Sequence, residues 1–283
     1  MDTPSLLVSK GEVVLRRLST PVRQLATSMK NGRPSITAQR VAAQRLTFNR
    51  VPAPYGNPDA DDALAGDVAG EVHDGSGQGL ARYLSARTTF FDRVVVNSLD
   101  GGTDQGVVLG AGYDGRAFRY AKPEVRWFEV DHSDTQADKR TRLTRLGIDT
   151  AQVTFVPVDF SDGGLAVALT EAGYDRHKPG LLLCEGVAVY LEPPVLESLL
   201  REMRSVSSPA SRLAISLSLA SASSDESARR ERFQPAVAAA GEPERNTLDA
   251  DDADALFATT GWQALVSSQR AHRTGFIVAE PIE

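Results

Sequence analysis

Cysteine and histidine are scarce in this sequence. A single cysteine, Cys184, among 283 residues excludes an intramolecular disulfide and any zinc site with several cysteine ligands, and it fits a reducing compartment. The four histidines lack the spacing of metal ligands; they are His73, His132, His177 and His272. We therefore expect no bound metal and a cytoplasmic location.

Long apolar runs and an excess of positive charge are also missing. No run approaches the roughly 18 consecutive apolar residues of a membrane helix, and no secretory signal pattern is present, so no membrane partner is expected. The net charge of −6 argues against nucleic acid as the main partner. A hydrophobic content of 41% is enough for a folded core and excludes a wholly disordered chain.

Charge is distributed unevenly, with a basic N-terminal segment. Residues 1–50 carry nine Lys or Arg residues against two acidic ones. We interpret this segment as amphipathic helices with solvated arginine faces. A basic arm that binds an acidic surface and an organellar transit peptide are the alternatives. Residues 1–34 are assigned to a basic extension, separate from the folded domain.

The remaining chain, residues 35–283, is predicted to form a single α/β domain. Residues 35–100 predict a helical cap, with one helix over 38–48 capped by Thr37 and another over 80–99. From residue 101 the pattern changes to short apolar runs separated by helix-length segments, which predicts a mostly parallel, buried sheet. The five runs are 107–109, 125–130, 153–158, 181–184 and 213–219.

Two closely linked runs near the C-terminus complete the predicted sheet. Residues 262–267 and 274–279 are strand-like and separated by a short polar link, which indicates an antiparallel hairpin at the sheet edge. The sheet therefore has seven predicted strands. The polar, acidic stretch over 221–254 is predicted to be an insertion in this core.

A glycine-rich turn follows the first of these strands. In the segment Gly110-Ala111-Gly112-Tyr113-Asp114-Gly115, glycines allow a sharp turn and a close approach of the backbone to a ligand. Glu129 and Asp131 come 19 and 21 residues after Gly110, at the end of the next strand, where a carboxylate can accept both hydroxyls of a ribose. This layout predicts a cofactor that contains adenosine.

Dinucleotides and S-adenosylmethionine both bind to such a layout. We favour S-adenosylmethionine, because the unit begins after about a hundred residues of mostly helical sequence rather than at the start of the chain. Asp114 would also repel a pyrophosphate placed over the following helix. An NAD-dependent dehydrogenase is the weaker alternative, and a glycine turn without a ligand is another.

Residues 107–119 (VVLGAGYDGRAFR) and 128–132 (FEVDH) resemble the leucine carboxyl methyltransferase-type superfamily of S-adenosylmethionine-dependent O-methyltransferases. Three more segments resemble that family in the same order: 87–92 (RTTFFD), 157–160 (PVDF) and 185–191 (EGVAVYL). The resemblance runs from about residue 35 to the C-terminus and implies a Rossmann-like class I methyltransferase. Ser133 departs from the proline often found at that position.

The resemblance implies how the methionine end of S-adenosyl-L-methionine is bound. Arg87 binds the methionyl carboxylate, a bidentate task suited to a guanidinium. Gly110 and Gly112 lie under the cofactor. Glu185, which follows an apolar strand, lies near the ammonium or sulfonium group.

At the adenosine end, the resemblance assigns the ribose to Asp131, with Glu129 as the alternative. Asp159 accepts a hydrogen bond from the adenine amino group, and Phe160 lies beside the ring. Structural alternatives exist for several of these residues, such as a surface position for Arg87 and a loop-capping role for Asp159.

The methyl acceptor is less well determined by the sequence. His132 is the nearest candidate base and Tyr190 a candidate to line the pocket, although a structural hydrogen bond and core packing are their simpler interpretations. A carboxylate is already ionised at pH 7, whereas a phenol benefits from a base. Since no Ser-His-Asp or paired-acid arrangement is evident, a carboxylate is mildly favoured.

We therefore expect an O-methyltransferase that acts on a carboxylate, or on a phenolic hydroxyl, of a small molecule or peptide. The resemblance extends to some polyketide-tailoring enzymes, which suggests a role in secondary metabolism. A non-catalytic or regulatory protein that binds S-adenosylmethionine would share the same cofactor residues and is the main alternative. Homo-oligomerisation stays open.

Overall fold

The computed structural model describes residues 35–71, 78–220, 245–265 and 274–283. The predicted extension over 1–34 lies outside the described residues, as does most of the predicted insertion near 221–254. In the part of the chain that the structure describes, no helix is both long enough and apolar enough to cross a membrane.

Three helices precede the sheet. Helix α1 spans Ile36–Arg45, α2 spans Pro58–Ala69, and α3 spans Gln78–Asp100. The predicted cap of α1 at Thr37 is wrong by two residues: the Ser35 hydroxyl accepts from the Ala38 N–H at 3.1 Å, so the helix starts earlier. Serine and threonine are both favoured N-cap residues, so residue type alone does not say which of the two caps the helix.

Seven strands form one sheet in the order β3-β2-β1-β4-β5-β7-β6. They are β1 (Gln105–Leu109), β2 (Arg126–Asp131), β3 (Val153–Pro157), β4 (Leu181–Cys184), β5 (Arg212–Ser216), β6 (Trp262–Ala264) and β7 (Phe276–Pro281). Strands β1 to β5 pair in parallel, whereas β7 pairs antiparallel with β5 and with β6. The predicted fold, a mostly parallel sheet with antiparallel C-terminal strands, is confirmed.

Further helices connect these strands. They are α4 (Arg116–Arg119), α5 (Ser133–Arg145), α6 (Leu165–Glu171), α7 (Pro193–Ser205) and α8 (Ala250–Thr259), with a short 3-10 helix at Ala188–Tyr190. Two prolines begin α7, because proline lacks only an N–H that the first helical turn leaves unpaired.

Both faces of the sheet are covered, so its central strands β1 and β4 are buried along their whole length. On one face, Phe91, Val95 and Leu99 of α3 pack against Val108 and Leu183. Helix α3 ends five residues before β1 begins, so it runs back along the sheet. Its first half therefore reaches the carboxyl ends of β1 and β4, where the candidate site lies.

Candidate cofactor site

The loop after β1 approaches its neighbours closely. Gly110 and Gly112 have φ angles of +58° and +48°, in the left-handed region that favours glycine. A Cβ atom on Gly110 would lie 2.3 Å from Val187 Cγ2, and one on Gly112 would lie 2.8 Å from Ala38 Cβ. The helical cap thus contacts the glycine loop directly, through α1.

Asp131 connects the end of β2 to this loop. Its two carboxylate oxygens accept from the N–H groups of Gly112 at 2.5 Å and His132 at 2.6 Å. Burial raises the pKa of Asp131, although these two N–H groups oppose the shift. A carboxylate has about four acceptor positions, so two remain for the hydroxyls of a ribose.

Glu129 lies on the same strand but makes a different contact. It forms a buried ion pair with Lys139 at 2.6 Å, and Lys139 also donates to the main-chain oxygen of Asp114 at 2.6 Å. Burial raises the pKa of Glu129 to about 7, although Lys139 opposes this. Glu129 Oε2 and Lys139 therefore tether the glycine loop to β2 and α5, which favours Asp131 as the ribose ligand, although Glu129 Oε1 has no partner among the described residues.

Glu185 is surrounded by guanidinium groups. Arg87 Nε donates to Oε1 at 2.9 Å, Arg116 Nη1 donates to Oε2 at 2.5 Å, and Arg45 Nη2 lies 3.7 Å from Oε1. Burial opposes ionisation, yet Arg116, Arg87 and Arg45 together lower the pKa of Glu185. The carboxylate is consequently held in its charged form, and α1, α3 and α4 are linked to the end of β4.

Asp114 corrects an expectation from the sequence. Asp114 is buried, and its side chain pairs with Arg116 and, at 3.0 Å, with Arg45. Although burial opposes ionisation, these arginines lower the pKa of Asp114. Because its charge is compensated in the interior, Asp114 would not repel a pyrophosphate, and the case against a dinucleotide has to rest on the fold.

A second group of charges was missed by the sequence reasoning. Arg50 binds Asp92 at 2.7 Å and Asp61 at 2.8 Å, and Arg116 Nε donates to Asp92 at 2.7 Å. Although burial opposes it, Arg116 and Arg50 lower the pKa of Asp92 to about 2. One signal was available, since Asp92 closes the same RTTFFD segment as Arg87. No sequence signal marked the arginines of α1 and of the following loop.

The predicted adenine contacts lie after β3, next to β2 in the sheet. The Val158 N–H donates to the Asp131 main-chain oxygen at 3.0 Å, which joins the two strand ends. Asp159 is exposed, and its Oδ1 accepts from the Ser161 N–H at 2.9 Å. Phe160 is half-buried against the core. Asp159 thus has a turn-forming role, and its contact with adenine stays a prediction.

The two candidate acceptor residues lie in different places. His132 caps α5, and its Nδ1 accepts from the Asp134 N–H at 3.4 Å, which agrees with the structural interpretation. Tyr190 is half-buried in the 3-10 helix after β4 and lies near Arg87. Only Tyr190 therefore lies beside the Arg87–Glu185 pair.

These residues fit S-adenosylmethionine. Within the described parts of the chain, buried polar atoms without a hydrogen-bond partner occur around the glycine loop and α3, namely Arg45 Nε, Thr88 Oγ1 and Glu129 Oε1. Such atoms are costly unless a ligand or water satisfies them. Among the described residues, no group of three or more His, Cys, Asp or Glu side chains could hold a metal ion.

The strand order, the glycine loop after β1 and the carboxylate at the end of β2 together define the class of Rossmann-like, S-adenosylmethionine-dependent methyltransferases. A model of the leucine carboxyl methyltransferase family matches residues 38–204, more than half of the chain. This protein belongs to the leucine carboxyl methyltransferase family.

Relatives and solved structures agree with this assignment. A "Putative S-adenosyl-L-methionine-dependent methyltransferase" of Mycobacterium sp. (strain JLS) is 33% identical over 220 residues, covering 70% of this chain and 71% of the relative. A protein of the same name from Mycolicibacterium gilvum (strain PYR-GCK) is 30% identical over 227 residues, covering 74% of each chain.

Two solved structures share the fold at 15% identity. A "putative methyltransferase" from Thermobifida fusca YX has a TM-score of 0.58 and covers 92% of this chain and 100% of its own. A DUF574 family protein from Streptomyces avermitilis MA-4680 has a TM-score of 0.57, with coverage of 88% and 98%. At this identity the likeness establishes the fold alone.

Proposed function

We propose that this protein transfers the methyl group of S-adenosyl-L-methionine to a carboxylate oxygen of a small molecule or peptide. One observation carries the preference for a carboxylate. Both oxygens of Glu185 are bound by arginines and its pKa is lowered, so the acid at the reactive end of the site is a poor base. An acceptor that is already ionised needs no general base.

The residues of the chain bind and orient the reactants in this proposal. Asp131 holds the ribose, while Asp159 and Phe160 hold the adenine. Arg87, oriented by Glu185, holds the methionyl carboxylate above the glycine loop. The bound cofactor supplies an electrophilic methyl group on a sulfonium. Proximity and alignment in such a site can lower the barrier by roughly 7–11 kcal/mol.

Matched pairs of acceptors test this proposal. Labelled S-adenosyl-L-methionine is offered with carboxylic acids and with the phenols or alcohols of the same skeletons. We expect transfer to acids, and we expect mild alkali to release the label as methanol, because esters hydrolyse and ethers do not.

Alkali-stable label on a phenol would move the acceptor to a hydroxyl. Cofactor binding without transfer to any acceptor would favour the regulatory alternative. Binding of NAD in preference to S-adenosylmethionine would favour the dehydrogenase. We also infer a cytoplasmic setting, which suits a protein whose single cysteine is a buried free thiol.

A further inference from the structure

Asn246 lies at the carboxyl edge of the sheet, beside the segments that follow β4 and β5. The N–H groups of Arg245 and Asn246 donate to the Val189 oxygen at 2.8 and 3.3 Å, next to Tyr190. Two residues later, the Leu248 N–H donates to the Ser218 oxygen at 2.9 Å. Backbone hydrogen bonds thus fix this segment on both sides of Asn246.

The side chain of Asn246 is 6% exposed, and its Nδ2 atom is buried without a hydrogen-bond partner in the described parts of the chain. Leaving a buried donor unpaired costs roughly 1–3 kcal/mol. More than about nine in ten buried polar groups are paired in folded proteins, so such an atom needs an explanation. A bound ligand oxygen would supply the missing acceptor.

The order of the strands indicates which ligand this is. The predicted contacts run across the sheet from Asp159 after β3, through Asp131 on β2 and the glycine loop after β1, to Glu185 after β4. Adenosine is therefore expected over β3 and β2, and methionine over β1 and β4. The acceptor is therefore expected over β4 and β5, beyond the methyl group, where backbone hydrogen bonds hold Asn246.

We propose that Asn246 binds the methyl acceptor, donating a hydrogen bond from Nδ2 to an acceptor oxygen. This inference rests on the proposed function and adds the residue that binds the second oxygen of the acceptor carboxylate. One carboxylate oxygen forms the new C–O bond as the methyl–sulfur bond breaks, and the electron pair stays on sulfur. The other oxygen accepts from Asn246. A carboxylate and a sulfonium become a neutral ester and a neutral thioether.

The test compares Asn246→Leu with the wild-type protein. Leucine has nearly the same shape and no donor, so replacement of an unpaired donor should leave the unfolding temperature unchanged or raise it. Each carboxylic acid of the acceptor panel is offered to protein saturated with S-adenosylhomocysteine, and binding is measured by saturation-transfer NMR, which requires no turnover. We expect at least tenfold weaker acid binding and unchanged S-adenosylhomocysteine affinity in the variant.

Tyr174→Phe is the matched control. The Tyr174 hydroxyl is also buried without a partner among the described residues, but Tyr174 precedes β4, at the opposite edge of the sheet. This variant should keep both its stability and its acid binding.

Unchanged acid binding by Asn246→Leu, or lower stability of that variant, would overturn the inference alone. Failure of the wild-type protein to bind any acid would overturn both the inference and the proposed function. Acid binding without methyl transfer would overturn the proposed function alone, so the failures are distinguishable.

Discussion

Arg87 Nε donates to Glu185 Oε1 at 2.9 Å, across 98 residues of sequence. The pair joins the first half of α3 to the end of β4, so the two residues expected at the methionine end of the cofactor hold each other. Arg116 occupies the second oxygen of Glu185. Glu185 therefore stabilises the cap against the core as well as orienting Arg87.

Glu185→Gln should lower the free energy of unfolding by about 3–5 kcal/mol, because it leaves buried guanidinium charge uncompensated. Urea unfolding measures this change. Glu197→Gln is the matched control: Glu197 pairs with Arg201 at 2.6 Å on the surface, and loss of such a pair costs at most about 1 kcal/mol. Similar losses in the two variants would contradict the stabilising role of Glu185.

Asp131→Ala should weaken S-adenosylhomocysteine binding at least tenfold, since hydrogen bonds to a charged group contribute roughly 1.5–3 kcal/mol each. Calorimetry measures the affinity, and circular dichroism checks that the variant folds. Glu129→Gln should have the smaller effect. If only the Glu129 variant loses affinity, the ribose contact belongs to Glu129.

Acid should destabilise this protein through Asp92. Its pKa is about 2 in the folded state, below its ordinary value of 3.8, so it stabilises the fold by roughly 2 kcal/mol above pH 4. That contribution is lost as the pH falls from about 4 towards 2. Urea midpoints at pH 6 and pH 3 should differ less in Asp92→Asn than in the wild type, whereas the exposed Glu171→Gln should keep the full difference.

Gly112→Ala should destabilise the protein for two separable reasons. The left-handed backbone costs an L-residue about 1–2 kcal/mol, and the new Cβ would lie 2.8 Å from Ala38 Cβ. Adding Ala38→Gly should remove this close contact and leave the backbone cost in place. Gly102→Ala, at φ +91° with open space around it, isolates the backbone cost, and the double variant should exceed that cost by the roughly 1 kcal/mol that a glycine costs inside helix α1. Full recovery of stability in the double variant would show that the close contact with Ala38 alone causes the loss.

Removal of residues 1–34 should leave cofactor affinity intact. Helix α1, which contacts Gly112 through Ala38 and approaches Glu185 through Arg45, begins only at Ile36. Calorimetry with S-adenosylhomocysteine on the shortened chain measures this. Loss of binding in a protein that keeps its circular dichroism spectrum would assign the extension to the cofactor site.

Sequence patterns predicted the sheet well because each strand carries its own local signal. The run 181–184 is apolar throughout and coincides with β4, and the glycine loop follows β1 as expected. Helix α3 was predicted within two residues at each end, from the spacing of its apolar face. The start of α1 was not, because Ser35 and Thr37 are both good caps.

The sequence by itself thus determined the order of the elements and the sheet, since periodicity and turn chemistry act between near neighbours, and the family resemblance singled out Arg87, Asp131 and Glu185. Only the tertiary structure decided which charges meet. Arg45, Arg50 and Arg116 carry no local signal that distinguishes them from surface arginines, yet they neutralise Asp92, Asp114 and Glu185 in the interior. Ion pairs between distant residues depend on how the cap packs against the sheet, and no spacing in the sequence records that.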